Sequence, residues 1–491
     1  MYAHDDPNIL WIAPSFKGKS TGTYQAPFTD ITRAVKKAKE GDTIVLKPGD
    51  YYNTVSIQIS GAITRPIRIT VENDSESSVR CHASWYFYDV TDLIVSGLTF
   101  TNIPHQALAV IGACKRNSFT NLRFHNCGLD NEGACTFFFG GAGAQCNVVE
   151  DCVFECETGC TAGSSSESPI GLMISEGDTV EGAEPNKNHI FRRNRFFNYG
   201  CAIVVGTHGT QMHNYSHIVE HNEIQTCAHD GIRLKCGDTV IRGNIITDCR
   251  KNGISVAYGK SDTIFNNRII ECGTGVNIAG IDCTVTNNCV IRSTRQALSI
   301  VSRSDDHRQL PGNTVIELNT LINNPKGERA ARGIFLETDS NCIIRRNIFD
   351  GEGKPYVIRN NTKNRKNRQS ALFIEDNRVS NGCLSADGCS EQDIDFRAPL
   401  KDNYSNTSGF GASGWMVEGL EIPPREKTEA TRSYQSAIFT QSSFFEFPGT
   451  GKELLTRACY SNTDPADTDE DETDNVQRDS DGIINFSNWD E

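Results

Sequence analysis

Along the middle of the chain, short stretches alternate strictly between apolar and polar positions: Gly231-Ile-Arg-Leu-Lys, Gly253-Ile-Ser-Val-Ala, Gly275-Val-Asn-Ile-Ala, Ala297-Leu-Ser-Ile-Val and Gly333-Ile-Phe-Leu-Glu. Period-two alternation over four or five residues, bounded by Gly, Asn and Asp, predicts β-strands. Between them recurs an Asn followed by one residue and then an apolar one, at Asn194, Asn222, Asn244, Asn267, Asn288, Asn319, Asn347 and Asn377, spaced by 28, 22, 23, 21, 31, 28 and 30 residues. A weaker copy begins at Asn121. Several short strands per repeat, with no helical period, predict the coils of a parallel β-helix, each burying an apolar interior against its neighbours. The asparagines are expected to form an inward ladder at a tight turn, each side chain bonding backbone of the next coil.

The ends read differently. Pro27-Phe-Thr-Asp-Ile-Thr-Arg-Ala-Val-Lys-Lys-Ala predicts a short amphipathic helix, residues 28–39, with Ile31, Ala34, Val35 and Ala38 on one face. Such a helix would cover the open end of the solenoid, which otherwise exposes a sheet edge. The division expected is a cap at 1–40, the β-helix at 41–400, a loop-rich cap at 401–461 where the repeat is lost, and an acidic tail at 462–491. From Asp464 to Glu491 there are eleven acids and one base, a net −10 out of −14 for the whole chain. A block of like charge repels itself and rarely packs as a core.

The run Ile12-Ala-Pro, through Gly41-Asp-Thr-Ile-Val-Leu-Lys-Pro-Gly-Asp-Tyr-Tyr and on to Pro66-Ile-Arg-Ile, resembles the opening of right-handed β-helical polysaccharide lyases. These include the pectate lyases and the alginate lyase/chondroitinase B family. With the coils, the resemblance covers residues 8 to 400, and it implies an all-β, right-handed parallel β-helix. Epimerases and glycosidases share the architecture. The tail, Asp467-Thr-Asp-Glu-Asp-Glu-Thr-Asp onward, resembles the aspartate-rich calcium repeats of secreted bacterial enzymes, which would make Asp467, Asp469, Asp471, Asp479 and Asp481 its calcium ligands. It lacks the twelfth-position Glu of a full EF-hand loop, and a solvated acidic tail stands as the alternative.

Composition narrows the class. No stretch approaches the roughly 18 apolar residues of a spanning helix, so no membrane partner is expected, and a basic footprint for nucleic acid is absent. The nineteen cysteines form no zinc pattern; they read either as disulfides of an exported protein or as small apolar residues stacked in a repetitive core. No hydrophobic leader precedes Tyr2. The chain is therefore read as the processed form of a secreted or periplasmic protein, and as a monomer.

Aligned at the glycine or alanine, the strands put Ile232 and Leu234 inside and Arg233 and Lys235 outside. The same register places Met173, Ser175 and Glu176 on an earlier coil, then Val204 with His208 at the strand end. After Arg233 come Ser255, Ala257 and Tyr258, then Asn277, then Ser299 and Arg303, then Phe335 and Glu337. With coils about 4.8 Å apart, this is one column on one sheet face. Uronate polymers are cleaved by β-elimination, which needs the carboxylate neutralised, a base for the C5 proton and an acid for the leaving oxygen. Arg233 and Lys235 would supply the cations, with His208 and Tyr258 one coil to either side. Glu176, Asn277, Arg303 and Glu337 are the candidate substrate contacts.

Ile232-Arg-Leu-Lys-Cys-Gly-Asp-Thr-Val-Ile-Arg-Gly-Asn resembles the stretch of the alginate lyase/chondroitinase B family that carries its catalytic lysine, which implies Lys235 as base. One coil later that family has an arginine before His-Gly, where this chain reads Ala257-Tyr258-Gly259; Tyr258 is the substitute considered. The family's calcium-binding glutamates are unmatched, with only Asp230 nearby, so no cofactor is required and calcium stays an option. The expected function is a lyase acting on alginate or a glycosaminoglycan such as chondroitin or dermatan sulfate, with pectate behind those. Alternatives are a glycoside hydrolase using Asp305 or Asp306 with Asp339, a C5 epimerase, and a non-catalytic glycan-binding β-helix. Glu176 and Glu337, six coils or about 29 Å apart, cannot form a hydrolase pair.

Overall fold

The computed structural model describes residues 6–72, 78–129, 134–157, 168–175, 186–206, 216–301, 312–322, 332–337, 342–350, 356–359, 372–380 and 389–391. Among these the chain forms one helix and forty short strands in three sheets. Sheet A (14 strands) runs from Ile9–Ile12 to Leu372–Glu375, sheet B (14 strands) from Gly49–Tyr51 to Cys389–Glu391, and sheet C (12 strands) from Val55–Ile57 to Tyr356–Arg359. The chain visits A, B and C in turn, and strands of successive coils pair in parallel, as Val240–Arg242 does with Thr263–Phe265 and Asp230–Leu234 with Asn252–Val256. This is the parallel β-helix that the repeat predicts.

The helix, Ile31–Lys37, is shorter than its expected span because Asp30 caps it, accepting from the Thr32 amide at 2.9 Å. Ile31, Ala34 and Val35 are buried in the solenoid core, with Ala38 packed at the edge. The first strand, Ile9–Ile12, precedes it and pairs with Thr43–Leu46, so sheet A already begins inside residues 1–40. The expected units at 401–461 and 462–491, and with them the candidate calcium ligands Asp467, Asp469, Asp471, Asp479 and Asp481, lie outside the described residues.

The asparagine ladder runs unbroken from Asn194 to Asn377. Each Nδ2 donates to the Oδ1 of the next rung at 2.9 to 3.1 Å, and each backbone amide donates to that same oxygen. All eight are at most 1% exposed. The residue before each rung turns the corner with positive φ, as at Arg193, His221 and Asn266. Asn121 is not a rung: it takes the corner itself, φ 52°, and Leu122 and then Cys152 occupy the slot. There the Leu122 amide donates to Cys152 Sγ and the Cys152 amide to Asn194 Oδ1.

The recurring glycines sit where sheet B turns into sheet C. A Cβ on Gly253 would stand 2.5 Å from Ile269 Cγ2 and 2.8 Å from the Gly275 carbonyl oxygen, so the inward corner has no room for a side chain. Beside this corner Cys227 and Cys249 stack in register. Fourteen described cysteines are free and all but Cys289 are buried, while Cys146 is disulfide-bonded. Most of the cysteines are thus packing residues, their thiols pushed up by burial, as at Cys135 and Cys283.

Candidate active site

The outer face of sheet C changes character along the solenoid. In its early coils the outward positions Ala109, Phe138, Met173 and Val204, in one register, are apolar and belong to a buried cluster of their own. From the next coil the same register carries Arg233, Ser255, Asn277 and Ser299. Met173, Val204, Arg233, Ser255, Asn277 and Ser299 thus share one column. Over its polar half opens a cleft of about 270 Å³.

Four successive coils line it: His229, Asp230 and Arg233 from the first, Lys251, Asn252 and Ser255 from the second, Thr274 and Asn277 from the third, Arg295 and Gln296 from the fourth. Ala257 and Ala279 line its far end. Those two small residues occupy the strand-end column that Lys235 begins, since the Ala257 amide bonds the Leu234 carbonyl and the Ala279 amide that of Val256.

Asp230 is the buried hub, 1% exposed. Its Oδ1 accepts from the Asn252 amide at 3.1 Å and from Asn252 Nδ2 at 2.7 Å. Its Oδ2 lies 3.2 Å from His229 Nδ1 and 3.8 Å from Arg233 Nη1. Burial pushes the carboxyl up, but the hydrogen bond from His229 and the charges of His229 and Arg233 outweigh it, so Asp230 is held below the usual carboxylate range. On the other side of the imidazole, His229 Nε2 meets Lys251 Nζ. Arg295 reaches back across two coils to donate to the Lys251 carbonyl at 2.8 Å. The glycine between them permits it, because a Cβ on Gly273 would lie 2.8 Å from Arg295 Nη2.

Cys201, His229 and Asp230 have donor atoms within 4.8 Å of one another. A thiol, an imidazole and one carboxylate are not a calcium set, which is all oxygen. The carboxylate is also already engaged by Asn252, His229 and Arg233, with the Lys251 cation adjoining. The donor set does not fit the calcium considered from the sequence, and no chemical step is routed through a metal.

Of the expected site residues, Arg233 and Asn277 line the cleft. Lys235 follows the strand Asp230–Leu234, 8% exposed, its amide bonded to the Val205 carbonyl at 2.7 Å; Tyr258 follows Asn252–Val256 and is half-buried. Neither is among the lining residues. Glu337 ends the strand Arg332–Glu337. His208, Glu176 and Arg303, and the hydrolase candidates Asp305, Asp306 and Asp339, lie outside the described residues. Sequence reasoning missed His229, Lys251 and Arg295. Aligned at the same glycine or alanine, they occupy one column two residues before it, so the signal was in the alignment, on the side that the strand pattern does not cover. His217, from a His-rich stretch, is a rung of another buried line: the His189 amide bonds its Nδ1, and the two rings stack at 5.1 Å.

Residues 183–390 match the family described as right-handed β-helix region, and residues 16–64 match a protein of unknown function family, DUF1565. The fold is the right-handed parallel β-helix. A curated relative, the uncharacterized protein YwoF of Bacillus subtilis (strain 168), is 24% identical over 105 residues, 20% of this chain and 22% of that one. Among solved structures, a variant of the PL6 family alginate lyase AlyGC superposes with a TM-score of 0.61 at 16% identity, over 85% of this chain and 59% of that chain. A mannuronic acid specific family 6 lyase from human gut microbiota gives 0.57 at 15%, over 88% and 99%. The PL6 lyase Pedsa3628 from Pseudopedobacter saltans gives 0.55 at 15%, over 81% and 95%. The chain thus spans 22% of its curated relative and 59% of the AlyGC chain. Likeness at this identity concerns the fold, which the polysaccharide lyases share with this chain.

Proposed function

We propose that this chain is a polysaccharide lyase that cleaves a uronate-containing polymer by β-elimination in the sheet C cleft. The observation that carries the reading is the convergence of three cations, Arg233, Lys251 and Arg295, with a buried imidazole–carboxylate pair in one polar cleft on this fold. Arginine forks suit a substrate carboxylate. Arg233, with Arg295 beyond it, neutralises that carboxylate and so stabilises the charge that develops when the C5 proton leaves. Asn277, whose Oδ1 accepts from Ser299 Oγ at 2.6 Å, offers its amide to sugar hydroxyls. The C5–H electron pair then forms the C4–C5 double bond, the bond from C4 to the glycosidic oxygen breaks, and that oxygen takes a proton.

Hydrolysis needs two carboxyl groups roughly 5 to 9.5 Å apart. Among the described lining residues Asp230 is the one carboxylate, and it is buried in ion pairs, which favours elimination. The family 6 neighbours named for alginate and mannuronate make alginate the first substrate to try, with chondroitin or dermatan sulfate and pectate next. Such polymers are extracellular, so the enzyme would work as a secreted or periplasmic protein; the Cys146 disulfide suits an oxidising compartment. Incubation with each polymer is expected to raise the ultraviolet absorbance of an unsaturated uronate on at least one. New reducing ends without that absorbance on every polymer would replace the lyase by a hydrolase.

A further inference from the structure

We propose that Lys251, His229 and Asp230 form the proton-handling chain of this cleft, with Lys251 as the group that meets the substrate; the inference rests on the lyase reading above. The three come from neighbouring coils, where sheet B turns into sheet C: Asp230 opens one strand with His229 just before it, and Lys251 precedes the next. Asp230 is buried and anionic, and its Oδ2 accepts from His229 Nδ1 at 3.2 Å. That bond selects the imidazole tautomer, leaving Nε2 to face Lys251 Nζ. Lys251 itself is exposed, while His229 is 4% exposed. The chain therefore runs from a sequestered carboxylate to an amine that a sugar can reach.

A single proton shared between the two nitrogens defines two forms. In one, Lys251 is an ammonium and His229 is neutral. In the other, His229 is an imidazolium stabilised by Asp230, and Lys251 is an amine with a lone pair toward the cleft. The second form is a general base. It takes the C5 proton while the C4–C5 double bond forms, and the resulting ammonium gives a proton to the departing glycosidic oxygen. The chain ends with the protons it began with, and no co-reactant is needed. Arg233 Nη1 stands 3.8 Å from Asp230 Oδ2, and Arg295 donates to the Lys251 carbonyl at 2.8 Å, so two guanidinium groups flank the chain. Among the described residues, Cys201 Sγ, 3.8 Å from His229 Nδ1, and Cys249, whose thiol feels the Asp230 charge, are further titratable neighbours, and both are buried.

Lys251 is not interchangeable with Lys235, the base that the family resemblance implies. Lys235 lies six residues past His229, about 20 Å along the strand direction. The two lysines are too far apart to act at one glycosidic bond, so the assignment can be decided by experiment.

The full chain and its variants are assayed for unsaturated product on alginate, pectate and chondroitin sulfate, with a thermal unfolding midpoint taken for each. Lys251→Ala is expected to lower kcat at least about a hundredfold, the lower range for a positioned base. Lys251→Arg should not rescue it, because a guanidinium keeps the charge and cannot give up its proton. Lys235→Ala should stay within about tenfold. His229→Gln should move the acid limb of the kcat/KM profile upward by at least about one pH unit, since Lys251 loses the partner that holds its proton, whereas Asp230→Asn should lower kcat without that upward move, since the imidazolium loses its counter-ion. Activity retained within tenfold by Lys251→Arg, or a hundredfold loss in Lys235→Ala with Lys251→Ala unaffected, overturns the chain while the product still supports a lyase. Wild-type protein that makes no unsaturated product on any polymer overturns the lyase reading, and the chain with it.

Discussion

Two buried polar arrays run across the same coils, and they are built on opposite plans. In the asparagine ladder every rung is neutral, donates and accepts, and repeats itself: Asn267 takes two bonds from Asn244 on its Oδ1 and gives its own Nδ2 to Asn288 Oδ1 and the Ile241 carbonyl. Around Asp230 the side chains are of unlike kinds. Imidazole, carboxylate and guanidinium share one coil, Lys251 joins from the next and Arg295 from two coils beyond that, and the array opens onto solvent through Lys251 and Arg295. A satisfied neutral array can only hold the coils together. An array of unlike titratable groups, with one end exposed, can exchange protons and bind charge. The same register stacks both, so the difference lies in the side chains alone.

The comparison breaks if Arg233 proves to be merely another structural rung. Arg233→Ala is expected to cut kcat/KM at least about a hundredfold, the scale of one preorganised charge contact, with folding preserved because Asp230 keeps Asn252 and His229. An unchanged kcat/KM on the polymer that wild-type protein turns over would move the carboxylate site elsewhere.

The ladder should respond in the opposite manner. Asn267→Ala leaves the Asn244 backbone amide without its acceptor and the Ile241 carbonyl without its side-chain donor, a cost of about 2 to 6 kcal/mol at 1 to 3 per buried group. Denaturant unfolding should show it, with catalysis by the folded fraction unaltered. Asn277→Ala, on the outer face, should raise KM and cost about 1 to 3 kcal/mol, about half as much, because it strands one buried group, the Ser299 hydroxyl. If Asn277→Ala destabilises as much as Asn267→Ala, the division between holding and working positions fails.

A third array sharpens the point through pH. Burial holds His189 down to about 3 and His217 well below its ordinary value, the latter helped by its histidine neighbour. Both are neutral in the fold and take up protons on unfolding below about pH 6.5, the ordinary histidine value. Their contribution to stability is therefore full above that pH and is lost as pH falls toward 3. Denaturation midpoints measured between pH 7 and pH 4 should drop, and His217→Asn should flatten the drop; an equally steep drop in that variant would assign it to other groups. The smallest effect is expected from removing residues 462–491: their −10 charge would repel an anionic polymer, so turnover should stay within about tenfold. Complete loss in a folded truncation would bring the tail into the site.

Much of this was legible in the chain. The asparagine spacing announces the coil because a ladder demands one rung per turn, and alternation puts Arg233 and Asn277 outside because a strand has no other choice. Asn121 misled because the corner and the rung are adjacent residues, and both accept asparagine: one for its tolerance of positive φ, the other for its two-way amide. His229, Lys251 and Arg295 fall in turns, where no period constrains the side-chain direction. The family resemblance pointed to Lys235, at the other end of the strand.

The sequence by itself therefore determined the architecture, the core-facing residues and the polarity of sheet C, since each follows from a local period repeated many times over. Only the tertiary structure decided which polar residues meet. His229 and Lys251 are 22 residues apart, and Arg295 reaches the Lys251 turn across 44. These contacts arise because coils of unequal length stack in register, and a length-insensitive stacking of backbones cannot be read from any one stretch of side chains.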